Sequence, residues 1–281
     1  MKPDLHMHST MSDGVRTPEE LYAYCESLGL SHMSLTDHDT YAGLDHLDRM
    51  NGHVQTIPGV ELSLKPMRSF HLLVYGDGRG TPMHARILTL AEARRGRAQS
   101  MLEKLHALGC RFSDDWYAWF EDMQKHPTRS VGRMHLARAL VEAQYVRSVG
   151  EAFDRYLSEG RPAYVPQQRM TMQEALEIAL GCGLVPVLAH PRELGIADEI
   201  LEDLVRTWTD QGLMGMEVYH PSAGRKGFES LENMARRYKL LVTGGSDYHD
   251  TYDETHGIPG SMASVWKHCE EDLGKLLEKL K

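Results

Sequence analysis

Apolar positions along the chain fall into short runs divided by amphipathic stretches. Lys2–His6, His32–Leu35, Val54–Ile57 and Phe70–Tyr75 read as strands. Between the first two, T-P-E-E-L-Y-A-Y-C-E-S-L-G-L carries an N-cap at Thr17, an N1 proline at Pro18 and a capping-box partner at Glu20. Leu21, Tyr24 and Leu28 supply a helical stripe, and Gly29 supplies a stop. From 81 to 164 the pattern turns helical. Met83–Leu108 predicts one long helix, with further helices over Trp116–Met123 and Gly132–Ala143. The A-E-A-R-R-G-R-A-Q segment of the long helix reads as a solvated charged face. After 165, helices Thr171–Leu180, Ile196–Asp210, Ser230–Tyr238 and Glu270–Lys281 are interspersed with strands Val185–Ala189, Gly215–Tyr219 and Leu240–Thr243.

Strands alternating with helices favour a parallel sheet, open or closed into a barrel. This α/β part is expected to comprise 1–80 and 165–281, interrupted by a helical insertion over 81–164. Polar motifs follow the strands, and active sites of such folds lie at the strands' C-terminal ends. The motifs are therefore expected to share one face.

Their chemistry is that of metal ligands. In D-L-H-M-H-S, His6 and His8 are two apart on an extended segment and point to the same side. Asp4 and Asp13 flank them, and Gly14 suggests a turn that returns Asp13. In T-D-H-D-T, Asp37 and Asp39 bracket His38. One of them is a candidate to orient His38 or an attacking water, and a turn cluster is the alternative. Glu61 ends I-P-G-V, where unpaired burial would be expensive. His71 opens H-L-L-V-Y, His190 ends V-P-V-L-A, and Asp247 and His249 repeat the two-apart spacing. Nine such groups are too many for one ion and suit two or three. Mixed imidazole and carboxylate ligation suits zinc, manganese or iron better than calcium or magnesium.

Composition narrows the setting. The net charge of −9 argues against a strongly basic nucleic-acid-binding surface. The four cysteines are scattered without CxxC spacing, as expected of free thiols in a reducing cytoplasm. The N-terminus leaves no room for a signal peptide and no apolar run reaches a membrane span, so a cytoplasmic protein without a membrane is expected.

The order of D-L-H-M-H-S, S-D-G, T-D-H-D, G-V-E-L-S, A-H-P and S-D-Y-H resembles the PHP (polymerase and histidinol phosphatase) superfamily, over residues 4 to 249. It resembles especially the bacterial phosphoesterases acting on nucleotides and cyclic phosphates. The resemblance implies a distorted (β/α)7 barrel with an inserted all-helical subdomain serving as a substrate cap. It also implies a trinuclear site of divalent ions, manganese foremost, with zinc or iron as alternatives. By the same resemblance His6, His8, Glu61 and Asp247 hold a first metal. Glu61, His71 and His190 hold a second, with Glu61 bridging. Asp13, His38 and His249 hold a third, and Asp13 stands where some relatives have histidine.

The implied activity is hydrolysis of a nucleoside bisphosphate or a cyclic nucleotide or sugar phosphate by metal-bridging hydroxide attack on phosphorus. The alternatives are histidinol-phosphate phosphatase, 5′-to-3′ exonuclease action on short RNA, and a non-catalytic polymerase-associated module. No obligate protein partner is implied. In S-V-G-R-M-H-L-A-R a helix start after Ser130 suits an anion, and Arg133 and His135 are candidate phosphate contacts; a surface basic helix is the alternative. Arg192 is another candidate. His220 is a candidate to contact substrate or protonate the leaving group, against a structural role, and Asp39 is the other candidate catalytic side chain.

Overall fold

The computed structural model describes residues 1–66, 70–125, 131–249 and 257–281. The chain divides into two compact units, 1–85 with 170–281, and 86–169. Both boundaries fall later than the pattern alone predicts. Leu64 pairs with Met170, and Lys65 N–H donates to Met170 O at 2.9 Å, which keeps Met170 with the first unit.

The first unit is built on a seven-stranded sheet whose spatial order follows the chain. The strands are β1 (Pro3–Asp4), β2 (His32–Leu35), β3 (Gln55–Ser63), β4 (His71–Tyr75), β5 (Val185–Leu188), β6 (Gly215–Tyr219) and β7 (Leu241–Gly244). All neighbouring pairs are parallel except those made by β4, which runs against both β3 and β5. A wholly parallel sheet is thus corrected at one strand. Residues 64–70 are too few for a crossover, which needs about a dozen. The reversal brings the start of β4 to the rim where the parallel strands end, and His71 pairs with Ser63.

The sheet curls into a nearly closed barrel. Leu5 N–H donates to Gly244 O at 3.2 Å, Asp247 N–H to His6 O at 2.9 Å and His8 N–H to Tyr248 O at 2.9 Å. The segment after β1 is thereby zipped to the segment after β7. Period-two alternation then sorts its side chains. Met7 turns outward, where the Cys25 thiol lies 3.8 Å from its sulfur, while His6 and His8 turn inward. Tyr75 is buried, and its hydroxyl donates to Leu5 O at 2.9 Å.

Among the helices of this unit, α1 (Pro18–Ser27) opens with the expected capping box: Thr17 Oγ1 accepts from Glu20 N–H, and Glu20 accepts from Thr17 N–H. A short α2 (Leu44–Leu47) has no counterpart in the apolar pattern. The second unit contains most of α3 (Pro82–Ala107), then α4 (Asp114–Lys125), α5 (Arg133–Glu142) and α6 (Val149–Ala152). Met101, Leu105, Phe120, Leu136, Leu140 and Leu157 give this unit a core of its own. Ser130 lies outside the described residues. The first unit resumes with α7 (Met172–Gly181), α8 (Asp198–Asp210), α9 (Gly224–Arg237) and α10 (Cys269–Lys279). All four cysteines are free. Among the described residues no helix is long and apolar enough to cross a membrane.

Closure of the barrel requires glycine at 245. A Cβ there would lie 2.3 Å from His6 Cβ and 2.6 Å from His6 N. Gly245→Ala must push two hydrogen-bonded backbones apart and is expected to cost about 1–3 kcal/mol. Urea unfolding measures it; an unchanged midpoint would show that the two segments have room to spare.

Candidate metal centre

Seven elements deliver polar side chains to one rim. His6 and His8 come from the extension of β1, Asp13 from the turn that follows, and His38 from the loop after β2. Glu61 comes from the end of β3, His71 from the start of β4, His190 from the residues after β5, and Asp247 and His249 from those after β7. The backbone is held tightly here. His38 bridges to Glu61, and Asp39 N–H donates to Glu61 O at 2.9 Å. Asp39, His190 and Asp247 have φ of 51°, 25° and 52°. Positive φ is uncommon outside glycine, and its clustering marks loops shaped by more than local preference.

The side chains meet in three adjoining groups. In the first, His6 Nε2 lies 3.2 Å from Glu61 Oε2 and 3.2 Å from Asp247 Oδ1. His8 Nε2 lies 3.2 Å and 3.0 Å from the same two oxygens. In the second, Glu61 Oε1 is 2.9 Å from both His71 Nδ1 and His190 Nε2, which are 3.2 Å apart. In the third, Asp13 is 3.3 Å from His249 Nε2 and 3.8 Å from His38 Nε2. His38 also turns Nδ1 to Glu61 Oε2 at 3.0 Å, so it faces the second and third groups together.

These donors fit divalent cations. Ligands ~2.0–2.1 Å from a tetrahedral ion stand ~3.3 Å from one another, close to the four separations of 3.0–3.2 Å in the first group. His6 Nε2, His8 Nε2 and Glu61 Oε2 are buried and make no hydrogen bond among the described residues. Buried lone pairs without a donor are costly, and a cation between them relieves all three.

Electrostatics agree. Burial alone would raise the pKa of Glu61, but His38, His6 and His71 hold it well below the ordinary carboxylate value. Burial opposes charge on His38, yet Glu61 and Asp13 raise it to about 10. His190 rises to about 9 against its own burial, through Glu61 and Asp247. The carboxylates thus make this pocket favour positive charge, and a metal entering it displaces protons.

A frame of carboxylates aims these donors. Glu217, fully buried in β6, takes His6 Nδ1 at 3.0 Å and accepts His190 N–H at 2.8 Å. With the proton of His6 on Nδ1, its Nε2 lone pair faces inward. Asp4 accepts from His6, Ser246 and Gly260 N–H, and Asp37 accepts from Ser9 N–H and the hydroxyls of Ser9 and Ser12. The sequence reading passes over Glu217. The signal was there: a carboxylate amid the apolar G-M-E-V-Y strand raises the same question as Glu61 in β3.

The other singled-out residues lie as follows. Asp39 accepts from Ser63 N–H at 2.9 Å and so fastens the end of β3. His220 Nδ1 accepts from Ser222 N–H, which leaves its proton on Nε2, 3.4 Å from Asp247 Oδ2. Arg192 is paired with Asp198, which Ser230 also bonds. Arg133 and His135 lie in the second unit, at the start of α5. His135 Nδ1 accepts from Gly132 N–H at 3.0 Å, and its ring packs 5.4 Å from that of Trp119.

A barrel with such a rim defines a class, and the chain belongs to it: the PHP domain family model matches residues 4–179. The chain is 29% identical to the 5′-3′ exoribonuclease Rnm of Salmonella typhimurium, over 95% of this chain and 94% of that protein. It is 28% identical to a 3′,5′-nucleoside bisphosphate phosphatase of Chromobacterium violaceum, over 95% and 96%. Among solved structures it is similar to an amidohydrolase from Chromobacterium violaceum with bound sulfate. The TM-score is 0.78 at 28% identity, covering 99% of this chain and 97% of that one.

Glu217→Gln keeps the size of the side chain but weakens its hold on the His6 Nδ1 proton. Metal affinity is expected to fall about 10–100-fold with the fold intact. Calorimetric titration with manganese, beside circular dichroism, measures this; equal affinities would mean that His6 is aimed by other contacts.

Proposed function

We propose that the protein is a metal-dependent phosphoesterase that hydrolyses small phosphorylated substrates, a nucleoside bisphosphate or a cyclic nucleotide or sugar phosphate. The observation that carries this reading is the sharing of Glu61 among adjoining imidazole and carboxylate groups. Two or three divalent ions, manganese foremost and zinc or iron as alternatives, fit these groups. Bound ions of this kind polarise phosphoryl oxygens and supply hydroxide near neutral pH.

The chain's own residues bind and orient. His6, His8, Glu61 and Asp247 hold one ion, Glu61, His71 and His190 a second, and Asp13, His38 and His249 a third. His220 steadies the second oxygen of Asp247 through its Nε2 proton. Asp39 keeps the end of β3, and with it Glu61, at the rim. Arg133 and His135 are the phosphate contacts. For Arg192 a phosphate would have to compete with Asp198. A second reading, 5′-to-3′ hydrolysis of short RNA, draws on the similarity to Rnm.

Purified protein with added manganese is expected to release phosphate from nucleotide esters, and chelation is expected to stop it. The double change His6→Ala with His8→Ala removes two of the four atoms of the first group and should lower turnover by at least about 100-fold in a folded chain. Phosphate release that survives either the chelator or the double variant would overturn the reading.

A further inference from the structure

The groups at the rim differ in how they are held. In the first, the side chains of His6 and His8 are 0% exposed and that of Asp247 6%. In the third, Asp13 is 54% exposed, His38 22% and His249 15%. The separations follow, at 3.0–3.2 Å in the first group against 3.3 Å and 3.8 Å in the third. Attraction between charges weakens as water enters, so a cation in the third group is the more weakly held.

Asp13 depends on its backbone. Among the described residues its carboxylate faces only imidazoles, those of His8, His38 and His249. An aspartate side chain is short, so its oxygens lie where the turn over 9–16 carries them. Gly14 N–H donates to Ser9 O at 3.0 Å, Thr10 N–H to Arg16 O at 2.8 Å and Val15 N–H to His249 O at 3.0 Å. Asp37 fastens the near end of this turn through Ser9 and Ser12.

Arg16 fastens the far end. Its Cζ lies 4.3 Å from the centre of the Tyr24 ring in α1, and its Nε donates to the Tyr248 hydroxyl at 3.0 Å. The two rings are 6.0 Å apart. Among the described residues no carboxylate pairs with this guanidinium. Tyr248 is buried, and its chain neighbours Asp247 and His249 belong to the first and third groups. The Asp13 turn is thereby tied to the same segment that carries its partner His249.

We propose that Arg16 is a positioning residue: by clamping the Asp13 turn to Tyr248 it sets the affinity of the third group for a divalent cation, the most exchangeable of those the rim would hold. The inference rests on the metal-dependent reading and deepens it, naming the side chain that governs its weakest cation site.

The test titrates the full chain, stripped of metal, with manganese, and counts unbound manganese by electron paramagnetic resonance. Wild-type protein is expected to show tight uptake followed by a weaker class of site. Arg16→Met should weaken that class about 3–10-fold and leave the tight uptake unchanged. Arg16→Lys keeps the charge without the Nε bond and should recover part of the loss. Tyr248→Phe removes only the accepting hydroxyl, and it stands in should Arg16→Met fail to fold. It should weaken the same class, and the two changes together should cost less than their sum. A loss spread over both classes would mark general loosening of the fold and overturn the proposal. So would equal affinities in the folded variants, a gain of affinity on removing the positive charge, or a single class of site in the wild type. If wild-type protein takes up no manganese, the metal-dependent reading fails and the clamp with it; uptake that the variants leave unchanged ends the clamp alone.

Discussion

The two oxygens of Glu61 lie among five imidazoles, with His6, His8 and His38 at Oε2 and His71 and His190 at Oε1. A carboxylate so deeply buried would carry a desolvation cost of several kcal/mol if left alone. Its neighbours come from the extension of β1, the β2 loop, the start of β4 and the end of β5. The burial is tolerable only when all of these elements are in place. The sheet must therefore curl far enough for β1 and β5 to look at the same carboxylate. The reversed β4 serves the same end, because a parallel β4 would place His71 at the opposite rim.

A second layer of carboxylates transmits the fold to the rim side chains. Glu217 takes the outer nitrogen of His6 and the backbone of His190, so one side chain of β6 sets two rim histidines at once. Asp4 gathers three backbone N–H groups from the start of the chain, the residues after β7 and the loop before α10. Burial lifts its pKa to about 6 even though those bonds favour the charged form. Such anchors confine the rim side chains, and a site held in this way needs little reorganisation to bind.

Much of this was legible in the chain. The strands were marked by short apolar runs, α1 by its capping box, and the side chains that gather at the rim by histidines and carboxylates placed near apolar ends. Three features were not. The reversal of β4 depends on the brevity of one connection, which periodicity does not measure. Glu217 lies inside a strand rather than after it, so the rule that picked out His190 and Asp247 passed over it. Arg97 lies in a charged segment that reads as a solvated face, and only the packing of Tyr164 and Val165 against α3 reveals it as buried. Pattern identifies which face of an element is apolar; it does not reveal which polar groups the tertiary structure will draw inside.

The seam between the first and last strands has a consequence for biosynthesis. His6 and His8 leave the ribosome well before Asp247, whose Oδ1 lies 3.2 Å and 3.0 Å from their Nε2 atoms. Until that residue emerges, the barrel has an open edge and the first ligand group is incomplete. A chain that stops before β7 therefore contains His6 and His8 without the carboxylate that completes their group. Completion of the first group is withheld until β7 and the residues after it are made, with the timing written into which strands are neighbours.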